Sequence, residues 1–195
     1  MAKGEKKIET RKRIIEAASQ SFRSHGYAGI GVDGIAKAAG VTSGAFYSHM
    51  GSKDAAFEIA LKASLDEVIT AIPVFQKDYA ERWVEEFASY YLSHNHREDL
   101  AGGCAMTTLS PEVVRSGPEL HAVYEGKMKR IVELIANGLL GDSRDDCLHR
   151  AWSLLGLLTG GLTITRAVKS TKTAKNIATA IKISAVSVAG TTSKN

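Results

Sequence analysis

Residues 32–53, VDGIAKAAGVTSGAFYSHMGSK, constrain the fold of this chain more than any other stretch. In their first half, apolar side chains recur at i, i+3, i+4 and i+7, a spacing that predicts one face of a helix. These side chains are Val32, Ile35, Ala36 and Ala39. Gly40 follows and predicts the end of that helix, because glycine tolerates a positive φ.

A second short helix is predicted directly after this turn. Thr42 can cap it through its hydroxyl, and we expect Ala45, Phe46 and Met50 to face inward. The residues left facing outward are Ser43, Gly44, Tyr47, Ser48 and His49. Two helices joined by a tight turn form a helix-turn-helix, whose second helix fits the DNA major groove. An ordinary αα-hairpin inside a helical bundle is the alternative interpretation.

Positive charge is concentrated in the part of the chain that contains this motif. Residues 1–53 carry 9 Lys and Arg against 4 Asp and Glu, a net charge of +5, and the remaining residues carry 16 against 17, a net charge of −1. This asymmetry favours attraction to phosphate groups. For Lys3, Lys6 and Lys7, a solvated basic tail is the alternative.

The composition is typical of a soluble, mostly helical protein, with 44% apolar residues and only 3 prolines. The charged N-terminus is unlike a signal peptide. The longest uncharged run, residues 151–165, is shorter than the roughly 20 residues that span a bilayer. Cys104 and Cys147 have no CxxC spacing, which favours free thiols in a reducing compartment. We therefore expect a cytoplasmic protein without a membrane span.

Apolar periodicity predicts further helices along the chain. Residues 7–24 form the first, and Gly26 ends it. Ser52 is expected to cap a long helix that continues to Pro73, where proline breaks it. Residues 78–96 are predicted to form a single helix with an aromatic stripe. Such a stripe is usually core, and the wall of an apolar ligand pocket is the alternative.

The last two predicted helices, over residues 143–169 and 173–189, carry much apolar surface. The first is apolar on nearly all sides, which predicts burial on all sides. Gly156 and Gly160 would form a smooth strip that another helix can approach closely. This favours burial against a second copy of the chain over burial within one chain.

The segment GVTSGAFYSHMGSKDAAF, with the helix before it, resembles the TetR family of one-component bacterial repressors over about residues 8–60. The matching positions are Gly26-Tyr27, Ile35-Ala36, Ala39-Gly40-Val41, Gly44-Ala45-Phe46-Tyr47 and Lys53. The resemblance implies an all-α fold. It places a three-helix helix-turn-helix domain at residues 1–53 and a helical effector-binding and dimerisation domain at residues 54–195.

The resemblance also implies which residues contact DNA. They are Thr42, Ser43, Gly44, Ala45, Tyr47, His49 and Lys53. The Tyr47 hydroxyl would donate to phosphate, and the Lys53 ammonium would add to the positive end of the next helix. The Ala45 methyl would meet a thymine methyl.

The chain departs from the family pattern in three places. Many members have Thr or Ser where this chain has Ile30-Gly31, and Lys or Arg where it has Ser43. Met50 replaces a common Phe. The first two departures predict weaker electrostatic binding to DNA or a greater reliance on the basic residues near the N-terminus.

These observations predict a ligand-responsive, sequence-specific repressor. Its partners would be a double-stranded DNA operator, a second copy of the chain and a small, largely apolar effector that releases DNA. The alternative is a helical dimeric ligand-binding or interaction protein with weakened or lost DNA binding. We predict no enzyme activity, because GxSxG, Walker and HExxH patterns are absent. We also predict no cofactor and no metal site.

We predict two sets of functional residues in the C-terminal domain, one for effector binding and one for dimerisation. The predicted effector pocket comprises Trp83, Phe87, Tyr90, Tyr91, Cys104 and Met128. The predicted dimerisation residues are Trp152, Leu155, Gly156, Leu158, Gly160, Ile177, Ile181 and Val188. A further hypothesis makes Cys104 an oxidant or electrophile sensor at a helix N-terminus. The alternative is a small buried apolar residue.

Overall fold

The computed structural model describes residues 3–141 and 143–190. The side chain of Lys3, one of the basic residues named above, lies outside the described part. Helices and turns account for the described residues, and no strand occurs among them, as the all-α prediction required. The helices are α1 Lys3–His25, α2 Val32–Ala38, α3 Ser43–Met50, α4 Lys53–Tyr79, α5 Trp83–Tyr91, α6 His94–Glu98, α7 Ala105–Val114, α8 Pro118–Asn137, α9 Arg144–Ala167 and α10 Thr171–Val188. None of these helices is both long and apolar enough to cross a membrane.

The chain forms two compact units. The first unit comprises Met1–Asp66 and Leu100–Tyr124, and the second comprises Glu67–Asp99 and Glu125–Asn195. The predicted boundary between residues 53 and 54 separates two domains by their expected functions, whereas these units are defined by compactness. That boundary stays a prediction.

The core of the first unit is built from the predicted apolar stripes. Its fully buried side chains include Ile14, Phe22, Ile35, Phe46 and Leu61. The ring of Phe57 meets the rings of Phe22 and Tyr27 edge to face, at centroid distances of 5.0 and 5.4 Å. The turns that join α1, α2 and α3 need a left-handed residue, and Gly26 and Gly40 supply it with φ values of +71° and +65°.

The core of the second unit centres on α9 and α10. Leu154, Leu158 and Leu162 are fully buried along one side of α9. Gly161 lets α10 approach closely, because a Cβ there would stand 2.7 Å from Cγ2 of Ile181. The close packing of these two helices therefore depends on a residue without a side chain.

Pro73 does not end α4, contrary to the sequence prediction. The helix runs through it to Tyr79. An interior proline costs about 3 kcal/mol, since it removes a backbone hydrogen bond and crowds the preceding turn. Ile72 is fully buried, and the Phe75 ring packs against Phe87 and Tyr90 at 5.2 and 5.6 Å. This packing on both sides of the proline offsets its cost.

The single helix predicted over residues 78–96 is also wrong. Ala80 has a φ of +48°, and a 3₁₀ turn over Ala80–Arg82 separates α4 from α5. Ser93 then accepts a hydrogen bond from the backbone N–H of His96 at 3.2 Å and starts α6. The aromatic spacing continues from Tyr79 to Trp83 across the first of these breaks, so periodicity could not reveal it.

The five-residue helix α6 is held by one side chain of α9. Arg166 donates through Nη2 to the carbonyl oxygens of His96 at 2.8 Å and Asp99 at 3.1 Å, and through Nε to that of Arg97 at 3.0 Å. A guanidinium at the C-terminal end of a helix is also favoured by the helix dipole.

Within one chain, α9 is not buried on all sides, and the burial against a second copy stays a prediction. Trp152 and Ile164 are exposed, as are Gly156 and Gly160. These residues recur at helical spacing, so α9 has one buried side and one exposed, uncharged side.

Candidate DNA-binding site

The orientation of α3 is set by its two buried residues. Phe46 and Met50, four residues apart, lie in the core of the first unit, while the Tyr47 side chain is 51% exposed. Thr42 Oγ1 accepts a hydrogen bond from the backbone N–H of Ala45 at 3.2 Å, which confirms the predicted cap. Ala45, predicted to face inward with Phe46 and Met50, is only half-buried.

The exposed face of α3 begins with small residues. Thr42 and Gly44 are exposed, and Ser43 is half-exposed. The Ser43 hydroxyl donates to Asp33 Oδ1 at 2.5 Å, which ties the start of α3 to α2. At the start of α2, Gly31 provides no side-chain cap, as expected where many family members have a hydroxyl residue.

Arg11 fixes the other end of α3. Its Nη1 donates to the carbonyl oxygen of His49 at 2.7 Å. This bond satisfies a terminal carbonyl and places a positive charge at the negative end of the helix dipole. Sequence reasoning missed this role, because a lysine- and arginine-rich helix start is equally consistent with a solvated tail.

Lys53 stands beside an aromatic ring at the start of α4. Ser52 Oγ accepts a hydrogen bond from the backbone N–H of Ala55 at 3.0 Å, the predicted cap. The Lys53 ammonium lies 4.3 Å from the centroid of the Tyr27 ring, a cation–π contact that limits where it can move. The Tyr27 hydroxyl donates to Asp54, and this bond, together with burial, raises the pKa of Tyr27 to about 12. Tyr27 therefore stays neutral at physiological pH.

A side chain of α7 binds the turn that contains Tyr27. The backbone N–H of Tyr27 donates to Glu112 Oε1 at 3.3 Å, and Arg115 pairs with Glu112 Oε2 at 3.1 Å. A Cβ on Gly26 would stand 2.7 Å from the same Oε1. Since Glu112 is 85 residues from Tyr27, no local pattern signals this contact.

This site has a counterpart among known proteins. Residues 14–59 match the sequence model of the bacterial regulatory proteins of the tetR family. The segment is a TetR-family N-terminal domain. It contains the candidate DNA-contacting residues Thr42 to Lys53 and the supports at Tyr27 and Asp54.

Relatives of known description match over part of their length. The HTH-type transcriptional repressor SCO4008 of Streptomyces coelicolor is 32% identical over 85 residues, 44% of this chain and 44% of that protein. The HTH-type transcriptional repressor AcnR of Corynebacterium efficiens is 37% identical over 57 residues, 29% of this chain and 30% of that protein. The match therefore spans less than half of either relative.

The likeness in fold extends far beyond the matched segment. A TetR-family transcriptional regulator from Cytophaga hutchinsonii superposes with a TM-score of 0.77, covering 97% of this chain and 98% of that one at 21% identity. At this identity the likeness shows the fold. The two relatives are repressors and the solved structure is a transcriptional regulator.

The predicted effector-pocket residues lie outside the TetR-family segment and do not share one unit. Trp83, Phe87 and Tyr91 are buried in the second unit, where Tyr90 is 51% exposed and Met128 is half-buried. Cys104 belongs to the first unit, where it is buried and immediately precedes α7. Its carbonyl oxygen accepts a hydrogen bond from the Thr107 hydroxyl at 2.8 Å. The burial of Cys104 is what the small-apolar-residue interpretation expects.

The predicted dimerisation residues separate into two groups. Leu155 and Leu158 are buried within their own unit, so they are not on the exposed side of α9. Trp152, Gly156 and Gly160 are exposed on that side. On α10, the side chains of Ile177, Ile181 and Val188 are half-buried.

Proposed function

We propose that this protein is a sequence-specific DNA-binding transcriptional repressor. One observation carries the proposal: within a TetR-family segment, α3 buries Phe46 and Met50 and exposes Tyr47. This orientation leaves a polar helix face free of core contacts, at the size that enters a major groove. A DNA-bound role places the protein in the cytoplasm.

We propose contacts of two kinds. Thr42, Tyr47, His49 and Lys53 would bind phosphate and position α3, since each carries a hydrogen-bond donor on or next to this helix. The bases would be approached by Ser43, Gly44 and Ala45. Because the Ser43 hydroxyl donates to Asp33, its oxygen is left as an acceptor toward an amino group of adenine or cytosine.

We also propose a homodimer through the exposed side of α9 and the neighbouring surface of α10. Residues 151–165 contain no charged side chain, and Trp152, Ile164 and Ile183 are exposed large apolar residues. Burial of such residues stabilises association. Two-fold symmetry would present two copies of α3 to half-sites about 34 Å apart or a multiple of that distance.

Control by a small molecule is the third part of the proposal. Trp83, Phe87 and Tyr91 form a buried aromatic side of α5 in the second unit, which supports an effector with a large apolar part. Its binding would change the separation of the two α3 helices and release DNA, because a mismatch of a few Å with the half-sites costs affinity.

A salt titration tests the DNA-binding proposal. Affinity for random duplex should fall steeply with salt, with a slope of about −0.9 in log K against log salt for each phosphate neutralised. Lys53→Ala in a dimer should therefore reduce the slope by about 2. Tyr47→Ala should weaken binding to all sequences alike and leave the slope nearly unchanged, because it removes no charge.

The matched controls are Lys172→Ala and Tyr79→Ala, exposed residues of the same types in the second unit. Both should bind DNA as the wild type does. Binding that is nearly absent and independent of salt would favour the alternative, a helical ligand-binding or interaction protein. Wild-type binding by both Tyr47→Ala and Lys53→Ala would show that the contact surface lies elsewhere.

A further inference from the structure

We infer that Arg97 binds the acidic group of a small organic acid, so that the effector has an apolar body and a negative charge. The inference deepens the proposed control by a small molecule and rests on it. Arg97 is a buried cation of the second unit.

Arg97 lies in α6, and the residue is only 6% exposed. Its Nη1 is inaccessible to solvent and makes no hydrogen bond with any described residue. Within the described part of the chain, no carboxylate forms an ion pair with its guanidinium. Arginine remains charged when buried, and a buried charge without a partner is strongly unfavourable. An anion that reaches this guanidinium would therefore gain more than one bound at the surface.

The neighbouring side chains strengthen the attraction for an anion. Arg166 places a second guanidinium at the end of α6, and its donors are used on the carbonyl oxygens of His96, Arg97 and Asp99. Arg166 thus supplies positive charge but no acceptor for Arg97. Glu98, the carboxylate within α6, pairs with His94 at 3.8 Å, and both side chains are largely exposed.

Two tyrosine rings contact His96, the residue before Arg97 in α6. The His96 ring lies 5.2 Å from both the Tyr90 and the Tyr91 ring. Tyr91 belongs to the buried aromatic side of α5 together with Phe87. A planar guanidinium matches a carboxylate through two parallel hydrogen bonds. Arg97 directly follows His96 in α6, so an acid with an aliphatic or aromatic body suits its guanidinium. Free phosphate shares the charge but has no apolar body.

The experiment compares acids with alcohols of the same skeleton by thermal melting in the absence of DNA. The pairs are octanoate with 1-octanol, benzoate with benzyl alcohol, and indole-3-acetate with tryptophol, and inorganic phosphate tests charge alone. At least one acid should raise the melting temperature more than its alcohol and more than phosphate. In Arg97→Met that acid should bind about 100-fold more weakly, because a buried charge pair is lost.

Two further variants keep the inference falsifiable. Arg82→Met is the matched control, since the Arg82 side chain is 69% exposed in the same unit, and it should retain the acid effect. Arg97→Lys keeps the charge and loses the paired donors, so it should fold and bind the acid more weakly than the wild type. Without an acid, Arg97→Met should melt no lower than Arg82→Met, because it removes an unpaired buried charge.

Three results would overturn the inference: no acid stabilises the wild type, the acid effect persists in Arg97→Met, or Arg97→Met alone melts well below Arg82→Met. A low melting temperature would mean that Arg97 has a structural partner. Phosphate acting as well as the acids would also refute an apolar ligand.

DNA binding is measured separately on the same proteins. Acid binding without DNA binding would refute the repressor proposal alone, and DNA binding without acid binding would refute this inference alone.

Discussion

Replacing Glu112 tests how firmly α7 holds the turn at Gly26 and Tyr27. Glu112 makes two contacts, one with a half-buried backbone group and one with an exposed side chain. Its Oε1 accepts a hydrogen bond from the backbone N–H of Tyr27 at 3.3 Å, and the Glu112 side chain is only 19% exposed. Its Oε2 forms an ion pair with Arg115, whose side chain is 64% exposed. The variant Glu112→Ala removes both contacts, Glu112→Gln keeps an acceptor for Tyr27, and Arg115→Ala removes only the ion pair.

The magnitudes follow from these environments. A half-buried hydrogen bond to a carboxylate contributes about 1–1.5 kcal/mol to the free energy of unfolding, and an exposed ion pair about 0.5 kcal/mol. Glu112→Ala should therefore lower stability by about 1.5–2 kcal/mol, a drop of about 3–8 °C in melting temperature for a chain of this size. Glu112→Gln and Arg115→Ala should each lower it by about 0.5 kcal/mol.

Amide hydrogen exchange measured by NMR locates the effect. The Tyr27 amide should exchange about five to ten times faster in Glu112→Ala than in Arg115→Ala, since each 1.4 kcal/mol corresponds to a factor of ten. Glu119→Ala, an exposed carboxylate in the same unit, serves as the control and should leave that amide unchanged. Equal exchange rates in Glu112→Ala and Arg115→Ala would refute the assigned hydrogen bond.

Three further outcomes are expected. In urea unfolding, Phe46→Ala should cost about 3–5 kcal/mol because Phe46 is fully buried, whereas Tyr47→Ala should change stability by less than about 0.5 kcal/mol; similar losses would contradict the orientation of α3. Thr42→Ala should cost about 1 kcal/mol and Thr42→Ser almost nothing, because serine also caps the helix; equal effects of the two would argue against the cap. The pKa of Tyr27 is raised from 10.0 to about 12 in the folded chain, so its contribution to stability is complete below pH 10 and is lost as the pH rises through 12. The stability difference between the wild type and Tyr27→Phe should shrink over that range, and a difference that is constant with pH would contradict the Asp54 hydrogen bond.

Local patterns were sufficient for most of the first unit. Caps and turn glycines act over three or four residues, so Gly26, Gly40, Thr42 and Ser52 identified the helix ends directly. Apolar spacing likewise identified Phe46 and Met50 as buried residues of α3.

Contacts between residues distant in the sequence could not be predicted in this way. Arg11 meets His49 across 38 positions, and Glu112 meets Tyr27 across 85. Nothing near Arg97 in the sequence indicated a buried guanidinium, because charged residues at the end of a helix are usually exposed. These residues depend on tertiary packing, which a single sequence does not display.

The helix breaks were missed for a related reason. Proline and alanine have reliable average preferences, but tertiary packing overrides them at Pro73 and Ala80. The buried Ile72 and the aromatic contacts of Phe75 and Phe87 hold the chain where local propensity alone would not.

The attachment of α6 to Arg166 has a consequence for the order of folding. Helices of five residues do not persist alone in water, and the carbonyl oxygens at the end of α6 are bonded to a residue 67 to 70 positions later in the chain. The helix can therefore form only after α9 has reached its place, so it belongs to the last steps of folding and to the first steps of local opening. The amides of Arg97 and Asp99, which bond to Ser93 and Asn95 within α6, should exchange together and without global unfolding. Arg97 lies on this helix, so local opening of α6 would expose its guanidinium to a small anion.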